Sequence, residues 1–335
     1  MPNLLGIEIG GTKLQLGLGR GDGSISRLVR RDVLPAGGAE GVRAQIVEAF
    51  RSLDARVDAV GVGFGGPVDA DRGIVTTSNQ VDGWAGFPLR DWLRETLGVD
   101  RVVVQNDADT AALGEARFGA GRGLSPILYV NSGSGIGGGL IVDGKIYRGS
   151  GVGAIEIGHV IVCEGAMRPT RQPPLTLEQV ASGWAIGEKG RQCARLENLP
   201  NWGEPPEGSP LHPFDDPGSL IRLCGGDPER VDAKMVAESA RLGQLDGRTV
   251  LRGPIHAMGA ALANAITLLA PRRVILGGGV SLMGDDLWLD PIREVVEARV
   301  FPSFRGTFDM TRAELGEDVV VHGALALAAD AVGPS

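Results

Sequence analysis

Two stretches in opposite halves of this sequence repeat one order of strand, glycine turn, strand, second turn and strand. The first runs Leu4-Leu5-Gly6-Ile7-Glu8-Ile9, turns at Gly10-Gly11-Thr12-Lys13, returns as Leu14-Gln15-Leu16-Gly17-Leu18, and turns again at Arg20-Gly21-Asp22-Gly23-Ser24. The second runs Ile127 to Ser132, turns at Gly133-Ser134-Gly135, returns through Ile136 to Val142, and turns tightly at Asp143-Gly144 before Lys145-Ile146. A duplicated hairpin opening each half predicts a duplicated α/β domain, and a length of 335 residues suits two domains better than one. Glycine turns bring backbone N–H groups close to an anion, and Thr12, Lys13 and Ser134 add hydroxyls and a cation. Two such turns facing one another would clasp a polyphosphate from both sides. A third run, Gly277-Gly278-Gly279, follows the apolar Val274-Ile275-Leu276 and would let a nucleoside lie against bare backbone.

Between the hairpins stands Val102-Val103-Val104-Gln105-Asn106-Asp107, followed by the Ala-rich Ala108 to Glu115. Three β-branched residues predict a buried strand, and the Ala-rich run predicts a helix. Asn106 and Asp107 then stand at the carboxyl end of a strand, where open α/β sheets bind ligands. A carboxylate there can take a proton from a substrate hydroxyl while the neighbouring amide holds the same substrate. Either residue is equally suited to cap the helix, and the local sequence leaves both roles open.

Other segments add candidates. Gly65-Gly66-Pro67 follows the strand Val57 to Phe64 as a close backbone approach, and Asn79 ends a polar cluster where it could equally cap a turn. Glu156 and His159 are three apart, so one helical turn would point both the same way, as a sugar-binding pair or as a plain surface pair. Thr176 predicts the cap of a short helix carrying Glu178. Ala39 to Leu53, Pro88 to Leu97, Val231 to Leu245, Val250 to Leu269 and Ala324 to Ala331 carry helical spacing, whereas Val319 to Gly323 predicts a short strand. The Pro-, Gly- and acid-rich Leu199 to Gly218 predicts a surface excursion. His212, His256 and His322 carry no chemistry that the pattern supports.

Composition limits the function classes. A net charge of −8 argues against a general nucleic-acid surface, and the apolar content of 43% supports real cores. Three scattered cysteines suggest no disulfide framework. No leader and no membrane-length apolar run is present, so the expectation is a cytoplasmic protein with no membrane and no nucleic-acid partner.

In combination, Gly6 to Lys13, Gln105-Asn106-Asp107, Gly133 to Gly139, Glu156-Ile157-Gly158-His159 and Leu276 to Gly279 resemble the ROK family of sugar kinases and related repressors, in that family's order and across nearly the whole chain. The resemblance implies a duplicated two-domain actin-like ATPase fold of the ribonuclease H-like kind, with the active-site cleft between the domains. It divides the chain at 1–120 and 121–322, with a terminal helix about 323–335 packing back on the first domain. It implies ATP-dependent phosphorylation of a hexose hydroxyl, in the manner of a glucokinase, with Asp107 as general base. Gly66, Asn79, Asn106, Glu156, His159 and Glu178 would hold the sugar. Gly10, Gly11, Thr12, Lys13, Gly133, Ser134 and Gly135 would cradle the phosphates, with Gly277, Gly278 and Gly279 near the adenosine and magnesium reached from Glu8 through water. A homodimer follows from the same resemblance. Polyphosphate as donor, or sugar binding without turnover in a regulator, are the alternatives.

Three departures from the family pattern stand out. Glu8 replaces a customary aspartate, Ile155 replaces a small residue before Glu156, and the segment from Cys163 to Glu178 has one cysteine where a zinc site would need three beside His159. We therefore expect no zinc site.

Overall fold

The computed structural model describes residues 2–78, 80–150, 153–163, 173–197 and 218–333. The first half carries β1 (Leu4–Ile9), β2 (Lys13–Gly19), β3 (Ile25–Asp32), α1 (Gly38–Leu53), β4 (Ala59–Phe64), the short ribbon β5 (Val68–Asp69) and β6 (Ile74–Val75), α2 (Leu89–Leu97), β7 (Val102–Asn106) and α3 (Asp107–Phe118). The second carries β8 (Ile127–Ser132), β9 (Ile136–Val142), β10 (Lys145–Ile146), β11 (Ile161–Cys163), β12 (Leu175–Thr176), α4 (Leu177–Ala181), α5 (Gly183–Glu197), α6 (Leu220–Leu223) and α7 (Ala233–Arg241). It ends with α8 (Leu245–Leu269), β13 (Arg273–Gly277), α9 (Asp290–Arg299), β14 (Asp309–Arg312) and α10 (Val319–Val332).

The duplication read from the hairpins extends to whole sheets. One sheet has the order β3-β2-β1-β4-β7 and the other β10-β9-β8-β13-β14. In each, the hairpin strands pair antiparallel and the last two join parallel. Parallel neighbours need crossover helices, and these cover one face of each sheet. Val42, Ile46 and Leu53 of α1 and Leu89 and Leu93 of α2 share a core with β1, β2 and β4. In the second half α8, α9, α4, α5 and α7 share a core with β8, β9 and β13.

The helices that follow the two edge strands exchange partners. α3 packs on β8 and β9, whereas α10 returns to β1 and β4 and lies against α3. Close backbone approach makes this possible: a Cβ at Gly6 would come 2.7 Å from the Val321 carbonyl, and one at Gly61 would fall on the Ala324 carbonyl. The terminal helix packs on the first sheet.

Two sequence expectations are corrected. Val319 to Gly323 is not a strand but the first turn and more of α10, so the terminal helix starts at 319 rather than 323. Its valines are buried on the first sheet and α3, and burial of this kind overrides β-propensity. The helices expected at Val231 to Leu245 and Val250 to Leu269 divide elsewhere. Asp232 caps α7 through the Met235 N–H at 2.9 Å, and α8 begins at Leu245 and continues through Pro254. The excursion expected at Leu199 to Gly218 lies outside the described residues up to 217. Among the described residues, no helix is long and apolar enough to cross a membrane.

Candidate active site

β7 ends where the sequence places it, and the two polar residues at its end divide the competing roles. Asn106 is the cap: its Oδ1 accepts from the N–H groups of Ala108 at 2.9 Å and Asp109 at 3.2 Å. Its Nδ2 donates to the Gly66 carbonyl at 3.1 Å, which ties the Gly65–Gly66 loop to the strand end. Gly65 in turn donates from its N–H to the Ile9 carbonyl at 2.8 Å, joining that loop to the first glycine turn. With the capping done by its neighbour, the Asp107 carboxylate keeps one oxygen beside the glycine loop. Its Oδ1 accepts from the Ala108 N–H at 2.9 Å, and its Oδ2 is 3.5 Å from where a Cβ on Gly65 would stand. Burial, and after it the nearby Glu8 carboxylate, push its pKa up to about 6. A carboxylate of that pKa is ionised at neutral pH yet basic enough to take a hydroxyl proton.

Glu8 is almost wholly buried. It accepts from Gln15 Nε2 at 2.6 Å and lies 3.3 Å from Lys13 Nζ, while burial holds its pKa above the usual carboxylate range. Gln15 accepts from Arg30 Nε at 2.7 Å, Arg30 pairs with Asp318 at 2.7 Å, and Lys13 Nζ donates to the Glu317 carbonyl at 2.9 Å. The Lys13 ammonium is therefore engaged with Glu8 and the approach to α10, at the end of β2. Of the first turn, Thr12 is exposed, and a Cβ on Gly11 would run into the Gln80 side chain.

In the second turn, the Gly133 N–H donates to the Gly135 carbonyl at 2.9 Å, and the Gly183 N–H donates to the Gly133 carbonyl at 2.8 Å. Ser134 is exposed. Glu178, on α4 behind a Thr176–Gln179 capping box, accepts the Ile136 N–H at 2.8 Å. Its carboxylate thus touches the second turn. Of the third run, Gly277 and Gly278 lie close against Tyr129, Asn131 and Ser132 of β8, and only Gly279 faces open space.

Glu156 and His159 flank a short turn over Ile157–His159, with His159 Nδ1 3.7 Å from Glu156 Oε2 and both side chains largely exposed. Ile155 before them has φ of 60°, a left-handed conformation that β-branched residues rarely take. Asn79 lies outside the described residues. So do residues 164–172, on which the expectation of no zinc site falls; among the described residues no group of three or more His, Cys, Asp or Glu could hold a metal ion.

Sequence reading missed Asp109, two residues beyond Asp107 in the first turn of α3. It is 5% exposed, its Oδ1 has no hydrogen-bond partner, and burial pushes its pKa up to about 7. It lines a small cavity with Gln105, Asn106, Arg148 and Glu156. Arg148 reaches from beyond β10 to pair with Asp71 of the first half at 2.9 Å. No local pattern separates this carboxylate from an ordinary acidic residue in the first turn of a helix.

The arrangement recurs in known proteins. The family model of the ROK family matches residues 4–331. A glucokinase of Thermotoga maritima is 34% identical, the match covering 98% of each chain. A glucokinase of Streptomyces coelicolor is 32% identical over 97% of this chain and 96% of its own. The crystal structure of a ROK family glucokinase from Streptomyces griseus, in complex with glucose and AMPPNP, superimposes with a TM-score of 0.80 at 32% identity, covering 98% of this chain and 99% of that one. The paired sheets and the exchanged helices are thus an actin-like ATPase fold, and the chain belongs to the ROK family.

Proposed function

We propose that this protein phosphorylates a hexose, with glucose the foremost candidate, at the expense of ATP, and that Asp107 is the general base. Sugar phosphorylation is the activity of the glucokinases it resembles over nearly its full length. The observation that carries the residue assignment is the division of labour at the end of β7. Asn106 satisfies the helix N-terminus, so Asp107, with its pKa pushed up to about 6, remains as a base beside the glycine loop.

The reaction reads as follows. Asp107 accepts the proton of the sugar hydroxyl as the oxygen attacks the γ-phosphorus, the bond from that phosphorus to the bridging oxygen breaks, and ADP leaves. Asn106 and Gly66 hold one side of the sugar, Glu156 and His159 the other, with Asn79 and Glu178 completing the set. Gly10 to Thr12 and Gly133 to Gly135 face the phosphates. Lys13 serves mainly to neutralise Glu8. The two sheets act as lobes, meeting near residue 120, whose closure excludes water.

Glu8 and Asp107, two desolvated carboxylates of which the first raises the pKa of the second, fit a hydrated cation arriving with the nucleotide, although Lys13 already answers part of the charge. Magnesium bound there would neutralise the β- and γ-phosphate oxygens.

The test is ADP release over a panel of hexoses and amino sugars, with ATP and inorganic polyphosphate supplied separately. Glucose with ATP should give the highest kcat/KM. Turnover with polyphosphate alone would replace the donor in this reading, and sugar binding without any turnover would replace the enzyme with a regulator.

A further inference from the structure

Trp184 is the most solvent-exposed aromatic side chain among the described residues, at 75%. It sits in the first turn of α5 and lines an open groove with Gly183, Gly187, Glu188, Arg191 and Asp232. Large exposed aromatics cost solvation and usually mark contact surfaces. The position of this one narrows the choice. Its neighbour Gly183 donates its N–H to the Gly133 carbonyl at 2.8 Å, inside the second glycine turn. A Cβ on Gly183 would stand 2.9 Å from that carbonyl and 3.5 Å from Val280, the residue after Gly279. The indole therefore stands beside the junction of the second and third glycine runs, one residue from the turn assigned to phosphate.

The floor of the groove is built to stay low. Gly187 lies against the start of α7, where a Cβ would come 3.5 Å from Asp232 Cα. Arg191, also in the lining, is held in place with Nε on Glu188 at 2.8 Å and Nη1 on the Val231 carbonyl at 2.9 Å. The rim carries the carboxylates of Glu188, already bonded to Arg191, Gln192 and Arg195, and of Asp232, which caps α7 through Met235; both keep lone pairs for a further donor and donate none when ionised. A flat π-face over a glycine floor, edged by acceptors, suits an aromatic base that bears an amino group. The cation in its lining, Arg191, is already paired with Glu188, so the groove gives a bare polyphosphate chain less than it gives a base.

We propose that Trp184 is the stacking platform for the purine base of the donor nucleotide, and that the Trp184–Asp232 groove is what makes an adenine nucleotide, rather than polyphosphate, the phosphoryl donor. This rests on the reading of the chain as a sugar kinase and adds a specificity residue to it.

The test uses the full-length protein and separates the two readings. Stacking contributes enough that Trp184→Ala should raise KM for ATP by about tenfold. The kcat at saturating ATP and the KM for glucose should stay near wild type, and Trp184→Phe should keep KM for ATP within about threefold. Independently of turnover, AMPPNP should quench tryptophan fluorescence in the wild type, tripolyphosphate should not, and Trp184→Phe should abolish the quench. An unchanged KM for ATP in Trp184→Ala, or a quench that survives in Trp184→Phe, overturns the platform. If the wild type transfers phosphate from ATP to no sugar yet AMPPNP still quenches Trp184, the kinase reading falls and the base seat stands.

Discussion

The β1–β2 hairpin and the β8–β9 hairpin share one topology and differ in how each turn is chemically closed. The first ends in a charge network, in which Glu8 meets Lys13 and Gln15, and Gln15 leads through Arg30 to Asp318 at the foot of α10. Among the described residues, the second carries no such network at its turn. A single carboxylate, Glu178, holds the Ile136 N–H, and Gly133 itself faces almost open space. α3 is wedged between them: Asp107 at its start feels Glu8, whereas Asp109 feels Arg148 and Glu156. Duplicated backbones thus present similar arrays of N–H groups, and side chains from distant elements make one turn rigid and the other accessible. The first hairpin sets the electrostatics of the base, and the second leads directly to the Trp184 groove.

The largest test of this asymmetry is Asp107→Asn. Loss of a general base should lower kcat about 10²–10⁴-fold with KM for sugar little changed. In the wild type kcat/KM should rise with pH and level off above about 6, where Asp107 is ionised. A near-wild-type kcat in the purified variant would remove Asp107 from the mechanism.

Next comes Lys13→Met, which leaves Glu8 buried without its cation. Breaking such a pair costs several kcal/mol when fully buried, and with the Lys13 side chain 33% exposed the loss should be about 2 kcal/mol. Adding Glu8→Gln should restore most of it, measured by urea unfolding of both variants. Equal loss in the single and double variants would mean that the first turn is not closed by charge.

Asp109→Asn should stabilise the protein. The folded carboxyl is held above its unfolded value, so the cost of ionising it is absent in acid, grows as pH rises, and is complete above about 7. The variant should gain about 1–3 kcal/mol near pH 8 and almost nothing near pH 4. Thermal melts at both pH values check this, and a gain independent of pH would contradict it.

The smallest effect is expected at Ile155, whose side chain packs over Gly138 of the second hairpin. Ile155→Gly relieves a left-handed backbone, about 1–2 kcal/mol, while losing a partly buried side chain of similar worth. Stability should change by less than about 1 kcal/mol. A large loss would show that packing on the open hairpin outweighs backbone strain.

Much of this molecule was legible in the order of its residues. The duplicated hairpins, the strand Val102–Asn106, the helix after it and the Thr176 cap follow from patterns a few residues long, because turns, caps and alternation are set by near neighbours. The family resemblance rests on the same local motifs. The competition between Asn106 and Asp107 for the cap could not be settled locally, since both residue types cap well; the Gly66 carbonyl, brought in from another strand end, settled it for Asn106.

What only the tertiary structure decided involves groups far apart in the chain. Val319-Val320-Val321 has the composition of a strand and lies in a helix, because the glycines of β1 and β4 let that helix approach closely enough to bury the valines. The engagement of Lys13 by Glu8 and the Glu317 carbonyl, the orphaned oxygen of Asp109 and the exposure of Trp184 are likewise properties of surroundings rather than of sequence. Local pattern determined most of the elements, though not the start of α10 or the division between α7 and α8. The desolvation and charge around each carboxylate, which give these acids their chemistry, arise only when α3 and α10 cross between the two sheets.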